Sequence, residues 1–355
     1  MARAVPARPS AHGCGALTGP LRLSVLDQSP IAEGGTGAVA LRNTVDLARL
    51  TDELGYSRYW VAEHHGMPML ASTAPEILIA EIAAVTDRIR VGSGGVMLPH
   101  YSPFKVAETF SILSGLHGDR IDLGVGRAPG SDRETMYALQ RDRRQMSPDD
   151  FPEQLAELLA YFEDDFPDNH LFARLAALPG APGKPDVWLL GSSPQSAIWA
   201  GELGLPYSVA DFINPEGAAN ARIYRERFAS SRRRAQPETT VCVSAICAET
   251  DEEAKRLAAS QRMAITLLRR GQLIAVPTVE KALEFLGDAG IGEGAGGRRV
   301  VVGTPDVVRS GLEEVAAEYG AEEVLVVTIT HDHAARRRSY ELIAEAFGLE
   351  RSTAA

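Results

Sequence analysis

Short apolar segments alternate with longer amphipathic segments along most of the 355-residue chain. The short segments have the continuous hydrophobicity of strands that are buried on both faces, whereas the longer ones repeat apolar residues every three or four positions, as helices do. This alternation predicts a parallel sheet in which helices connect successive strands. We predict eight strands, near residues 23, 59, 91, 122, 188, 208, 243 and 326.

The number of strands selects among the parallel architectures. Eight units favour a closed (β/α)8 barrel, the TIM barrel, and the chain is long enough for such a barrel with insertions. No G-x-G-x-x-G pattern follows the first strand, which argues against an open dinucleotide-binding sheet. We therefore predict an α/β barrel over residues 21–350 with an insertion at about 131–185, an irregular stretch at 271–303, and a disordered arm at 1–20.

Composition disfavours several classes of function. With 36 Lys and Arg against 47 Asp and Glu, the net charge of −11 argues against a nucleic acid as partner. The leader has no apolar core of a secretory signal, and no run of ~18 apolar residues predicts a membrane span. The three cysteines lack C-x-x-C spacing and predict neither disulfides nor a zinc site. We expect a cytoplasmic protein.

Polar and glycine-rich residues follow five of the predicted strands, at the end of a barrel that carries the active site. These segments are residues 27–30, 63–65, 93–95, 124–127 and 191–193. Arg127 has a planar, permanently charged guanidinium that suits a phosphate, and the glycines before it allow a ligand to approach the backbone. A surface ion pair is the alternative for Arg127 alone.

Three serines, Ser192, Ser193 and Ser196, lie at the start of a predicted helix. Hydroxyls and free N–H groups at a helix N-terminus form an anion site. Taken alone, Ser192 or Ser193 is more simply interpreted as a helix cap. The placement of these serines and Arg127 at one end of the barrel favours a phosphate site.

Two adjacent histidines, His64 and His65, follow the second strand directly after Glu63. Neighbouring residues of a strand point to opposite faces, so at most one histidine faces the barrel mouth, and spacing alone does not say which. A histidine hydrogen-bonded at the rim is the alternative. No metal site is predicted, because no third ligand has recognisable spacing. The "HDH" at 331–333 is interpreted as a helix start with Asp332 near its N-cap.

Five segments resemble the bacterial luciferase-like flavin-dependent monooxygenases, in the single-chain type similar to the luciferase alpha chain. They are "LGYSRYWVAEHH", "RIRVGSGGVMLPHYSPFKVAE", "GDRIDLGVGRAPGSD", "LLGSSPQSAIWAGELGLPYSVADF" and "VGTPDVVRSGLEEVAAEYGAEEVLVV". The resemblance covers about residues 21–345. Each segment is modest alone, but five in the family's order at the expected strand ends are specific.

The resemblance implies that the barrel mouth binds reduced FMN, with His64 as the catalytic histidine and Glu63 in support. The cofactor-binding residues that it implies are Gly94, Gly95, Arg127, Ser192, Ser193 and Ser196. It also implies a non-prolyl cis peptide between Gly94 and Gly95. Gly126 stands where luciferase has a cysteine, so the light reaction is not implied.

The implied chemistry has two components. A separate NAD(P)H:flavin reductase supplies reduced FMN, which reacts with O2 to a C4a-(hydro)peroxyflavin that oxygenates a small organic substrate. With an ordinary pKa near ~6.5, His64 would exchange a proton at working pH. The substrate stays open between a carbonyl compound and an aromatic, polyketide-like or other secondary metabolite, and the insertion at 131–185 is expected to shape its pocket.

Two alternatives to this function remain from the sequence. The same barrel serves F420-dependent oxidoreductases, which transfer hydride without O2, and a non-catalytic flavin-binding subunit is the other possibility. The resemblance further implies a homodimer that pairs through the early helices, near residues 37–55 and 75–86.

Overall fold

The computed structural model describes residues 19–127, 133–139, 150–173, 175, 179–180, 182–214, 216–287 and 299–351. Residues 1–18 and parts of the predicted insertion at 131–185 lie outside this range. The disordered arm therefore stays a prediction, as does the role of the insertion.

Parallel strands form a closed barrel. The strands are β1 (Arg22–Asp27), β2 (Arg58–Val61), β3 (Arg90–Met97), β4 (Ile121–Gly126), β5 (Asp186–Gly191), β6 (Tyr207–Ala210), β7 (Thr239–Cys247), β8 (Val300–Gly303) and β9 (Glu323–Val327). Each of β1 to β7 pairs with the next along the chain, β7 pairs with β9, and β9 pairs with β1. This confirms the predicted (β/α)8 barrel and its eight strands.

Helices surround the barrel and connect its strands. They are α1 (Gly37–Glu53), α2 (Pro75–Ala84), α3 (Pro103–His117), α4 (Arg133–Leu139), α5 (Phe151–Glu163), α6 (Pro194–Glu202), α7 (Ala218–Arg227), α8 (Asp251–Arg269), α9 (Val279–Leu286), α10 (Pro305–Tyr319) and α11 (His333–Phe347). Their starts follow local chemistry: prolines occupy the first turn of α2, α3, α6 and α10. Threonine side chains cap α1, α8 and α9.

The prediction of an irregular stretch at 271–303 was wrong in two places. Helix α9 begins after Thr278, whose side chain accepts a hydrogen bond from the Lys281 N–H. Strand β8 pairs in parallel with β7, where Val300 lies beside Ser244, and so extends the sheet outside the closed ring.

Two packed layers fix the barrel. Outside it, residues such as Val25, Tyr59 and Val61 pack beneath the helices. Inside it, Trp60 and Trp188 meet edge to face with ring centroids 5.4 Å apart. Aromatic side chains of this size fill the centre of the barrel, so it is a packed core.

Buried charges close the amino-terminal end of the barrel. Arg58 donates to Asp122 at 2.8 Å and to Glu323 at 3.0 Å. Arg90 donates to Asp122 from a second side, and the Trp60 indole donates to it at 2.9 Å. Because this end is filled by a hydrogen-bonded network, open space for a ligand lies at the other end.

Candidate functional site

A cavity of about 210 Å³ opens at the carboxyl ends of β1, β2, β6, β7 and β9. Its walls come from Gln28, His64, Met67, Met69, Leu70, Phe212, Ile213, Ser244, Gln261, Ile265, Leu268, Arg299, Val300, Val327 and Ile329. A mostly apolar wall with a few polar groups is the usual composition of a small-molecule site.

Strand alternation places His64 in this cavity. Trp60 and Ala62 face the inside of the barrel, and the same side continues to His64, which lines the cavity. The backbone N–H of His64 donates to the Ser72 carbonyl at 2.9 Å. Its Nδ1 is buried and has no hydrogen-bond partner among the residues that the structure describes. The imidazole thus lines the cavity, and those residues leave one of its nitrogens without a hydrogen bond.

The environment of His64 shifts its pKa from the value expected. Burial, with a smaller contribution from neighbouring His65, lowers the pKa of His64 to about 4. The expectation of an ordinary pKa was therefore wrong. His64 is neutral near pH 7, so its first proton transfer would be as a base.

Glu63 and His65 lie on the other side of the strand and interact with each other. Glu63 accepts hydrogen bonds from His65 Nε2 at 2.7 Å, from the Tyr101 hydroxyl at 2.8 Å and from the Met97 N–H at 3.0 Å. Burial and Glu63 raise the pKa of Tyr101. Glu63 thus holds the end of β3 and the turn after it, and these contacts do not include His64.

Glycines on β3 and β4 bring the backbone close to the inside of the mouth. The peptide bond between Gly94 and Gly95 is cis, as the resemblance implied. A Cβ on Gly94 would lie 2.5 Å from Leu26 Cδ1, and one on Gly95 would lie 2.7 Å from the Gly124 carbonyl oxygen. A Cβ on Gly126 would have no atom within 4 Å in the part of the chain that the structure describes. Those residues therefore leave space beside Gly126, directly before Arg127.

Arg127 lies next to the start of α6. Val125 pairs with Leu189, so the register two residues further places Arg127 level with Gly191. The exposed Arg127 guanidinium lies 5.6 Å from the Trp199 ring centroid in α6. The structure thus brings together the arginine and the serine segment that the sequence singled out.

The three serines differ in their contacts. The Ser193 side chain caps α6 by accepting from the Ser196 N–H at 3.4 Å, as the cap interpretation had it. The Ser196 hydroxyl donates to the Ser193 carbonyl at 2.8 Å and lies 2.9 Å from the Tyr207 hydroxyl, with Ser196 only 8% exposed. The Ser192 carbonyl accepts from Asn214 Nδ2 at 3.2 Å. Ser192 and Ser193 are partly exposed, whereas the Ser196 hydroxyl stabilises the turn beneath them.

Besides His64, the sequence pointed to Gln28, within the polar segment 27–30, but not to the cavity residues Ser244, Gln261 and Arg299. Gln28 comes from a turn in which Ser29 has a left-handed φ of 50° and its N–H donates to Asp27 at 2.7 Å. Arg336 donates to the same Asp27 at 2.7 Å and fixes the turn. A polar residue within an apolar strand, Ser244, was a signal that could have been noticed.

The mouth has two halves. Glycines, Arg127 and the start of α6 occupy the half formed by β3, β4 and β5, and the cavity occupies the half formed by β6, β7, β9, β1 and β2. His64 stands where the halves meet on one side. On the other side Phe212 and Ile213 line the cavity, and Asn214 next to them binds Ser192.

The second histidine pair starts a helix. The Asp332 side chain caps α11 by accepting from the Ala334 N–H, and His333 Nε2 lies 2.8 Å from Asp46 Oδ2. Within the described ranges, no group of three or more His, Cys, Asp or Glu side chains is arranged to hold a metal ion. None of the helices described above has the length and apolarity needed to cross a membrane.

Comparisons with known proteins give consistent results. The sequence model of the family described as luciferase-like monooxygenase matches residues 21–323. The chain is 45% identical over 333 residues to the uncharacterised protein YwcH of Bacillus subtilis, covering 92% of this chain and 98% of that protein. It is 38% identical to the N-acetyl-S-alkylcysteine monooxygenase of the same organism, covering 92% and 98% of the two chains.

Solved structures share the fold. The apo structure of MsnO8 has a TM-score of 0.85 at 43% identity, covering 94% of this chain and 99% of that one. More distant structures show the fold alone. One is the oxygenating constituent of a diketocamphane monooxygenase in complex with FMN, with a TM-score of 0.69 at 22% identity, and another is an F420-dependent reductase with a TM-score of 0.63 at 16%.

Proposed function

Because the chain belongs to the luciferase-like monooxygenase family, we propose that it is the oxygenating component of a two-component flavin-dependent monooxygenase. A separate NAD(P)H:flavin reductase supplies reduced FMN, and O2 and a small organic substrate are the other reactants. The observation that carries this proposal is the two-part mouth. A candidate anion site and a glycine-lined space lie beside an apolar cavity, and His64 stands at the boundary between them.

The residues present fit a flavin phosphate and ring. The Arg127 guanidinium, the partly exposed Ser192 and Ser193, and the N-terminus of α6 would hold the phosphate, since they combine a positive charge with hydrogen-bond donors. The side chain that is missing at Gly126 leaves room for the ring.

Bound reduced flavin would supply the electrons that activate O2. The protein would position the reactants and limit water, because the cavity wall is largely apolar. His64 is neutral, and its imidazole, which lines the cavity, would accept a proton or pass one on at the boundary between the cofactor half and the cavity. Glu63 would act through structure, by holding the Met97 N–H at the end of β3.

Several classes of substrate are candidates. Carbonyl compounds and aromatic or polyketide-like molecules fit a small apolar cavity. The relative that acts on N-acetyl-S-alkylcysteine adds a thioether to these candidates.

Titration under anaerobic conditions tests the cofactor. We expect the protein to bind reduced FMN more tightly than reduced F420, and Arg127→Ala to weaken FMN binding roughly ten- to hundredfold, the size of a lost charge-assisted hydrogen bond. Arg227→Ala is the matched control, because Arg227 is an exposed arginine in the last turn of α7.

This titration and a later assay of oxygenation in the presence of O2 decide between the alternatives. Tighter binding of reduced F420 would replace the proposal by a hydride-transfer enzyme. Binding of reduced FMN without oxygenation of any of these substrate classes would indicate a non-catalytic flavin-binding subunit.

We also propose that the protein is a homodimer. Three large apolar side chains on the neighbouring helices α2 and α3 are strongly exposed: Ile77 at 69%, Ile112 at 56% and Leu116 at 71%. Large exposed apolar side chains on adjacent helices favour an interface. Of the two helices predicted to pair, α2 belongs to this surface and α1 does not contribute one of these three side chains; α3 contributes two of them.

A further inference from the structure

One side of α8 forms part of the cavity wall. Gln261, Ile265 and Leu268 follow one another at four- and three-residue steps, so they share a helix face, and all three line the cavity. Ser244 reaches the same place from β7, since it lies on the same side of the strand as Cys242, inside the barrel.

Gln261 and Ser244 form a buried polar pair. Gln261 Nε2 donates to Ser244 Oγ at 2.8 Å, and Ser244 Oγ lies 3.2 Å from Gln261 Oε1. Gln261 is 4% exposed and Ser244 is 2% exposed. A carboxamide has two N–H donors and a carbonyl with two lone pairs, so this pairing leaves hydrogen-bonding capacity on the amide.

The surroundings of the pair are apolar. Ile265, Phe212, Val327 and Ile329 are among the residues that line the cavity with it. Unused hydrogen-bonding capacity in such a place is unfavourable, and a ligand that satisfies it gains affinity and a fixed orientation.

The charge of Arg299, which also lines the cavity, is already balanced. Its Nη1 lies 2.7 Å from Glu318 Oε2, and its Nε lies 3.7 Å from Asp211 Oδ1. An anionic ligand would have to compete with these two carboxylates. The cavity therefore favours a neutral ligand group over a carboxylate.

We propose that Gln261, supported by Ser244, binds a neutral carbonyl or carboxamide group of the substrate, while the apolar wall holds its hydrocarbon part. This rests on the proposed function, because it makes the cavity the substrate side of the flavin site. Gln261 is then a specificity-determining residue that orients the substrate relative to His64.

Small probes that differ in one group test the proposal. Binding of cyclohexanone, methylcyclohexane and cyclohexanecarboxylate to the flavin-free protein is measured by ligand-detected NMR. We expect cyclohexanone to bind more tightly than the carboxylate. In Gln261→Leu we expect the Kd of cyclohexanone to rise about three- to tenfold, the size of one hydrogen bond, and the Kd of methylcyclohexane to stay the same or fall.

Controls separate recognition from folding. Gln272→Leu changes an exposed glutamine just after α8 and should leave all three Kd values unchanged. Ser244→Ala should give a smaller loss for cyclohexanone than Gln261→Leu, and thermal unfolding shows that each variant is folded.

The proposal is overturned if cyclohexanone shows no saturable binding, if Gln261→Leu binds it as the wild type does, or if the carboxylate binds at least as tightly. Titration of the same proteins with reduced FMN is read separately. A wild-type protein that binds the ketone as expected but not the flavin would contradict the proposed function and leave the recognition by Gln261 standing.

Discussion

Gly126→Leu is expected to block the flavin without destabilising the protein. Leu123 and Val125 pack beneath the helices, so Gly124 and Gly126 on the same strand face the inside of the barrel. Because a Cβ on Gly126 meets no atom of the described residues within 4 Å, we expect a side chain there to project into the mouth at little steric cost to the fold. Its effect on the free energy of unfolding should be within about 0.5 kcal/mol.

The matched substitution is Gly124→Ala, two residues earlier. A Cβ on Gly124 would lie 2.2 Å from the Ser93 carbonyl oxygen, which is backbone and cannot easily move. We expect the free energy of unfolding to fall by ~1–3 kcal/mol, the usual cost of overpacking.

Denaturant unfolding measures the stability of the two variants, and titration measures their affinity for the flavin. Gly126→Leu should unfold like the wild type and bind reduced FMN at least ~10-fold more weakly, a change of about 1.4 kcal/mol. If Gly126→Leu binds the flavin with an unchanged Kd, the ring does not occupy the space beside Gly126 and the placement argued above is wrong.

The remaining predictions concern His64, Glu63 and the exposed helix surface. The pKa of His64 is 6.5 in the unfolded state and about 4 in the folded state, so between these values the unfolded state binds the proton. The protein therefore becomes less stable as the pH is lowered through this range. Between pH 7 and 5, His64→Asn should lose about 2 kcal/mol less than the wild type in denaturant unfolding; equal losses would contradict the shifted pKa. Glu63→Ala should cost ~1–3 kcal/mol in the same assay, because the buried Met97 N–H then loses its acceptor; unchanged stability would refute this. By light scattering at micromolar concentration the wild type should be a dimer and Ile77→Glu/Leu116→Glu a monomer, and a monomeric wild type would end the dimer proposal.

The barrel was predictable because each of its strands is an apolar segment between segments with helical periodicity. Strand β8 was missed although β2 and β6 are equally short. It pairs on the outside of β7, outside the closed ring, and its first three residues are only partly buried. Helix α9 has eight residues and follows a loop, so its periodicity is short, although Thr278 was a usable cap signal.

The site was predictable in part. Alternation could not choose between His64 and His65, because both faces of β2 are buried and only the packing shows that Trp60 faces inwards. The resemblance selected His64, and the structure places that residue in the cavity.

What the sequence could not show depends on contacts between distant residues. The low pKa of His64 comes from burial in the folded barrel. The internal contact of the Ser196 hydroxyl involves Tyr207 on the next strand. The pairing of Gln261 with Ser244 requires the position of α8 against β7.

A crystal structure of the protein with FMN bound tests the central claim most directly. The account predicts the phosphate at Arg127 and the N-terminus of α6, with the flavin ring beside Gly126 and next to His64. A phosphate bound away from Arg127, or a ring outside this mouth, would contradict it.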